Sequence, residues 1–386
     1  MKASGIICEY NPFHKGHKHQ IDVIKSKSEN PIVAIMSGNF TQRGDIAVVD
    51  KFKRTEIALD NGIDLVIELP TVYAVSSAEN FAKAGVKIAQ ALGVTENLCF
   101  SAEEKNTDLL FDIANAFDRE DFNSKVKEFM DKGDYYPIAV QKSVEVTVSK
   151  DAADTVTKAN NILSVEYLKA LKNTDIKPMI IERIGVGHDC GECSGDITSA
   201  SNIRKMINEN SGKIFEYMPT CNRELFENPA NLDNLEKIIL YKLRTMSREE
   251  IEKLPDVNEG LENRIYASVK NSTTLPELIN NIKTKRYTMA RIRRIIICAL
   301  LGITKDMQSI DVPYIRVLGF DKKGGELLKQ AKLPLITNVS DGYKNLDENA
   351  KKIFDVDLLA SDLHSLGTGC TLPCSKDFTT GIIKRH

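Results

Sequence analysis

The chain has 386 residues, more than one typical hydrophobic core organises, so two or three domains are expected. Its formal net charge of −2, with 27% charged residues, excludes a globally basic nucleic-acid coat and leaves room for a local basic patch. Eight scattered cysteines exclude a compact disulfide framework, no apolar run reaches bilayer length, and the N-terminus reads without a signal peptide, so a cytoplasmic protein with reduced thiols and no membrane partner is expected.

Gly5 to Glu9 reads as a short buried strand, Asn11-Pro12 as a tight turn, and Gly16-His17 as the opening of a helix that runs to about Lys27. Such a strand–turn–helix is the first half of a βαβ unit and leaves the helix's unpaired amides above the strand end, where anions bind. His14 and His17 place two imidazoles at that mouth, and Gly16 lets a ligand approach the backbone. The plainer alternative is a helix-capping histidine beside a surface one. The pattern His14-Lys15-Gly16-His17 resembles the H-x-G-H signature of the nucleotidyltransferases that include class I aminoacyl-tRNA synthetases. That resemblance implies attack on the α-phosphate of ATP with loss of pyrophosphate.

Further along, Pro31 to Met36, Asp64 to Leu69 and Asn97 to Ser101 read as buried strands, with helices over Lys51 to Asp60 and Ala78 to Leu92 between them. This alternation predicts an α/β fold with a Rossmann-like, doubly wound parallel sheet. Ligands of such sheets sit above the strand carboxyl ends, which puts Cys8 to Asn11, Ser37 to Phe40 and Ser101 to Glu103 on one rim. Arg43 and Lys53 are the cations expected near it. Thr107 to Leu171 has helical periodicity, with Asn160 and Asn161 preceding its last helix, and Met179 to Arg183 is another strand. The loop Gly185 to Gly195 carries His188, Cys190 and Cys193, which with Cys370 and Cys374 lack the usual zinc-knuckle context, so no metal site of the protein's own is expected. Ile197 to Lys205 opens a helix with Ser199, Ser201 and Arg204, a second anion cradle suited to the β- and γ-phosphates of ATP.

Beyond about Phe215 the strands stop, and Leu232 to Leu301 reads as a string of amphipathic helices. Here Lys283, Lys285, Arg286, Arg291, Arg293 and Arg294 gather without an acidic neighbour, the composition an RNA backbone selects; a solvated helix face is the alternative. Tyr287 adds a stacking surface for an unpaired base. A small α/β piece follows, with strands over Tyr314 to Gly319 and Leu333 to Thr337 and a helix from Asp347 to about Leu363; its place is open, and the tail past Gly367 reads as irregular. The expected division is 1–215 for the nucleotide-binding catalytic unit, 216–305 for a helical RNA-binding unit, and 306–386 for the C-terminal piece.

Taken together, Glu9-Tyr10-Asn11-Pro12-Phe13-His14, the loop Ser37 to Gly44, Asn160 to Leu163, Arg183-Ile184-Gly185 and Ser199 to Arg204 resemble the bacterial tRNA(Met) cytidine acetate ligase family over essentially the whole chain. The resemblance implies activation of acetate with ATP and acetyl transfer to the wobble cytidine of elongator tRNA(Met). It implies ATP contacts at Ile7, Cys8, Glu9, Tyr10, Asn11, Pro12, Phe13, His14, Lys15, Gly16, His17, Gln20, Ser101, Asn160, Asn161 and Arg183, with Ser199, Ser201 and Arg204 on the departing pyrophosphate. His14, His17 and Arg204 are the expected catalytic groups, Mg²⁺ the expected companion of ATP, and a homodimer is compatible with the sequence. Ser101 and Ser164 stand where the family usually has glycine, which predicts altered detail in the nucleotide cleft. The alternatives are a cofactor nucleotidyltransferase acting on a small phosphate-bearing substrate, and a non-catalytic RNA-binding protein with a nucleotide cleft.

Overall fold

The computed structural model describes residues 1–183, 197–219 and 226–386. It begins with β1 (Ala3–Cys8), α1 (Lys15–Lys27), β2 (Ile32–Ser37), a small hairpin of β3 (Phe40–Thr41) and β4 (Asp45–Ile46), α2 (Lys51–Asp60) and β5 (Leu65–Leu69). Then come α3 (Thr71–Ala74), α4 (Ala78–Ala91) and β6 (Thr95–Ala102), followed by helices α5 (Thr107–Ala116), α6 (Glu120–Asp131), α7 (Tyr136–Thr147), α8 (Lys150–Thr155) and α9 (Ala159–Leu171). Strand β7 (Lys177–Glu182) and α10 (Ala200–Asn208) close this half.

In the main sheet the order is β7-β6-β1-β2-β5, all parallel, as the alternating strands and helices predict. Strands β2 and β5 are buried at every position, and their side chains divide between two layers. Val33, Ile35, Leu65 and Ile67 meet Phe81, Val86 and Ile88 of α4, whereas Ile32, Ala34, Met36 and Val66 meet Ile21 and Ile24 of α1 and Phe52, Ala58 and Leu59 of α2. Period-two alternation with both faces apolar is what a parallel sheet covered on both sides requires. The chain moves outward from β1 to β2 and β5, then crosses back to β6 on the other side of β1. The strand order therefore reverses beside the end of β1, where open α/β sheets bind their ligands.

The helical region contains α11 (Glu236–Thr245), α12 (Arg248–Glu252), α13 (Leu261–Asn271), α14 (Leu275–Ile282), α15 (Met289–Leu301) and α16 (Lys305–Ser309). After it come β8 (Ile315–Phe320), α17 (Lys322–Leu327), β9 (Leu335–Ile336), α18 (Val339–Lys344), α19 (Glu348–Leu366), α20 (Lys376–Thr379) and β10 (Ile383–Lys384). The C-terminal strands, whose place the sequence leaves open, join the main sheet: β8 lies antiparallel to β5, and β9 and β10 both pair with β8. The tail is correspondingly ordered where an irregular segment is expected. Lys376 pairs with Asp50 at 2.9 Å and Arg385 with Asp60 at 2.7 Å, partners more than three hundred residues away that no local pattern reveals. Among the described residues no helix is long and apolar enough to cross a membrane.

Candidate active site

The first turn of α1 is closed by its own histidines. His14 is the N-cap, its Nδ1 accepting the Gly16 amide at 3.0 Å, while the His14 amide donates to Nδ1 of His17 at 3.3 Å. This reciprocal arrangement is a capping box in which imidazoles replace the usual hydroxyl and carboxylate. The rings stack with centroids 3.8 Å apart, and His17 also meets the ring of Tyr10 at 4.9 Å. Burial holds both imidazoles neutral: His14 is pulled down to about 3, with Arg183 and Arg204 adding to the effect, and His17 falls well below its ordinary value with His14 and Arg183 adding. A neutral ring whose Nδ1 accepts carries its proton on Nε2, so the hydrogen-bond pattern assigns two Nε2–H donors to this mouth.

Between about pH 8 and 5 the ring nitrogen resonances of both histidines are therefore expected to remain those of neutral imidazoles; a midpoint near the ordinary value of about 6.5 for either would remove the assignment. The unfolded chain takes up these protons near 6.5 and folded His14 only near 3, so the folded state is favoured above 6.5 and loses stability as pH falls through that window.

His14, Gly16, His17, Gln20, Ser101, Arg183, Ile197 and Thr198 line one cleft. The two segments expected to cradle anions, nearly two hundred residues apart in sequence, are in contact: Arg204 of α10 donates to the Asn11 carbonyl at 2.8 Å. Ser199 caps α10 by accepting the Asn202 amide at 3.2 Å, and its hydroxyl lies 2.9 Å from that of Ser201. Asn11 accepts the Val48 amide at 2.9 Å, Phe13 is buried against Tyr10, Lys15 opens α1, and the Asn11–Pro12 bond is cis. Ile7 turns its side chain onto Gly85 of α4, and burial raises the Cys8 thiol. Glu9 accepts the Gln42 amide at 2.7 Å, tying the end of β1 to the β3–β4 hairpin, and burial raises its carboxyl although Arg204, Arg43 and Arg54 oppose this.

Asn160 and Asn161 divide their work. Asn160 donates to the Glu103 carboxylate at 2.6 Å beside the cleft; Asn161 is fully buried and accepts the Glu103 and Glu104 amides at 2.9 and 3.1 Å, shaping the loop after β6. Ser101 lies in ordinary strand backbone paired with Ile181, so this position needs no glycine conformation; Ser164 donates to the Ser101 carbonyl at 3.3 Å and to that of Asn160 at 2.8 Å. On α2 the expected cation, Lys53, pairs with Glu56 at 3.1 Å on the outer face. Its neighbour Arg54 is the one that turns inward, because it shares a helix face with the buried Lys51 and Ala58.

The basic segment also divides. Lys283, Lys285, Arg286 and Arg293 are exposed, whereas Arg291 donates to the Asp256 carbonyl at 2.7 Å and Arg294 pairs with the Asp256 carboxylate at 2.8 Å. Tyr287 is buried with the Arg291 guanidinium 5.0 Å from its ring centre, which overturns the expected stacking surface: tertiary packing claims the ring. Gly44, at φ +71°, presses its backbone on α15, where a Cβ would come within 2.4 Å of the backbone of Arg293 and Arg294. The hairpin thus joins the basic helix to the cleft, and Asp45 beside it feels both Arg204 and Arg293 while burial raises its carboxyl. The signal for this contact was the glycine in Gln42-Arg43-Gly44, although its partner was not readable. Gly185 to Gly195, with His188, Cys190 and Cys193, lies outside the described residues, and Cys370 and Cys374 are exposed. Among the described residues no three His, Cys, Asp or Glu side chains gather to hold a metal ion.

A parallel sheet reversing at a strand–HxGH–helix turn, faced by a hydroxyl–arginine helix start, defines a HIGH-type nucleotidyltransferase, and residues 1–375 match the HIGH Nucleotidyl Transferase family model. A protein of Caldanaerobacter subterraneus subsp. tengcongensis named tRNA(Met) cytidine acetate ligase is 41% identical over the full length of both chains, and one of that name from Acetivibrio thermocellus is 37% identical over 94% of each. The crystal structure of Thermotoga maritima TmcAL in an apo form superposes with a TM-score of 0.93 at 29% identity, covering 100% of this chain and 99% of that one. The same protein bound with alpha-thio ATP superposes at 0.91 with 28% identity over the same shares. The chain belongs to the tRNA(Met) cytidine acetate ligase family.

Proposed function

We propose that this chain activates acetate with ATP to acetyl-adenylate and transfers the acetyl group to the exocyclic amine of the wobble cytidine of elongator tRNA(Met). The observation that supports this most is the Arg204–Asn11 bond joining the two phosphate-binding segments, in a chain matching these ligases end to end. ATP lies across the end of β1 with its α-phosphate at the two Nε2–H donors. An acetate oxygen forms a bond to the α-phosphorus as the bond to the bridging oxygen breaks, and Ser199, Ser201 and Arg204 hold the leaving pyrophosphate. The donors are fixed before reaction, so stabilisation of the developing charge needs no reorganisation. Mg²⁺ arriving with ATP would supply neutralisation of the leaving group's charge beside Ser199, Ser201 and Arg204. In the second half the cytidine amine forms a C–N bond to the acetyl carbon, AMP departs, and the amine proton passes to solvent.

Incubating the protein with labelled acetate, ATP and bulk tRNA tests this reading: label is expected in tRNA, and its absence there with unchanged ATP would defeat it. In this reading residues 216–305 present the tRNA-facing side. Replacing Lys283, Lys285, Arg286 and Arg293 together by alanine should weaken tRNA binding at least about tenfold and flatten its salt dependence by about one unit of slope per lost phosphate contact, with adenylate formation unchanged. Arg291 and Arg294 are left in place, since their loss would break the ties to Asp256. Equal loss of binding and adenylation would make the segment a support rather than an RNA surface.

A further inference from the structure

Arg54 is fully buried beneath the ends of β1 and β2. Its guanidinium donates to the backbone carbonyls of Val49 at 2.9 Å, Glu9 at 2.6 Å and Ser37 at 3.1 Å, and to that of Gly38. Among the described residues every group it hydrogen-bonds is a carbonyl and none is a carboxylate. Burial pulls it down to about 10, so it remains cationic at neutral pH. Ends of adjacent parallel strands have no ladder partner to hold them in one geometry; here a single planar fork grips both. Glu9 in turn holds the Gln42 amide, which extends the grip to the hairpin. The Asp50, Glu9 and Glu68 carboxylates oppose the effect of burial from nearby, while the hydrogen bonds of the fork go to backbone carbonyls.

We propose that Arg54 is a positioning residue for adenylation: by fixing the ends of β1 and β2 and, through Glu9, the β3–β4 hairpin, it holds the backbone beside the His14–His17 mouth in the geometry the carboxylate reactant needs. This rests on the acetate-activating reading above. The test is acetate-dependent exchange of labelled pyrophosphate into ATP, run on the full chain at a temperature where melting curves show every variant folded. Arg54→Met should lower kcat/KM for acetate at least about 100-fold, as expected when a reacting group is misplaced, while the ATP dissociation constant without acetate moves less than about threefold. Arg54→Lys should recover about tenfold over Arg54→Met, since it returns a charged donor for the carbonyls but not the fork. Ala58→Gly, which weakens the same helix away from the loops, should lower the melting temperature and leave the acetate KM in place. Arg54→Met within about threefold of wild type, or Arg54→Lys no worse than wild type should the methionine variant not fold, would overturn the role of Arg54. So would an equal loss in Ala58→Gly. A wild-type chain that supports no acetate-dependent exchange would instead defeat the reading of the reaction.

Discussion

His17→Ala is expected to lower acetate-dependent pyrophosphate exchange by about 10²–10³-fold, the usual consequence of removing one preorganised donor from a transition state that gathers charge. Two losses combine. The Nε2–H donor disappears, and so does the Nδ1 that accepts the His14 amide and the ring that stacks on His14 at 3.8 Å, so the second donor is loosened as well. His17→Asn, which can keep an acceptor for that amide, should retain more activity than alanine. ATP binding should change far less than turnover, since the cleft walls from Ser101, Arg183, Ile197 and Thr198 remain. Steady-state exchange rates and a separate ATP titration measure both quantities, and unchanged turnover would refute the assignment.

The largest expected effect on stability lies elsewhere, at Glu68. Near the end of β5 its carboxylate accepts Lys51 at 2.8 and 3.0 Å and meets Arg316 of β8 at 3.1 Å. Asp377 of α20 answers the same two cations, at 2.8 Å from Lys51 and in direct contact with Arg316. All four side chains are 3% exposed or less. Glu68→Ala leaves two buried cations to share one carboxylate, and should cost about 3–5 kcal/mol by denaturant unfolding, as for other buried pairs broken on one side. Asp357 moderates the loss: burial, with Glu68 the next cause, raises its carboxyl to about 7, and removing the Glu68 charge lets it ionise toward the orphaned cations. Replacing Glu68, Lys51 and Arg316 together by apolar residues of similar volume should restore part of the stability, because the desolvation of each charge goes with it. A cost below about 1 kcal/mol for Glu68→Ala would show that the network is screened as surface pairs are.

The same network decides where the C-terminal piece lies. Tyr314 to Gly319 reads as a strand from its apolar run, but its neighbour is decided by Arg316 meeting Glu68 across the β5–β8 pairing and by Asp357 accepting the Thr71 amide at 2.7 Å and the Tyr314 hydroxyl at 2.8 Å. Arg316, Glu68 and Asp357, each taken alone in the sequence, are ordinary charged residues. Likewise Lys53 and Arg54 are adjacent cations, and only the packing of α2 on the sheet turns one out to Glu56 and the other in to four carbonyls.

Local order was written in the chain: buried strands in apolar runs, the histidine turn, the hydroxyl-rich start of α10 and the basic stretch before α15 all depend on residues within a few positions of one another. Packing alone chose which basic groups face solvent, that Tyr287 is covered, that Asn161 braces a loop, and that the tail completes the sheet. Periodicity and capping report the neighbours a residue has along the chain; an ion pair or a sheet edge closed across hundreds of residues leaves no trace in either.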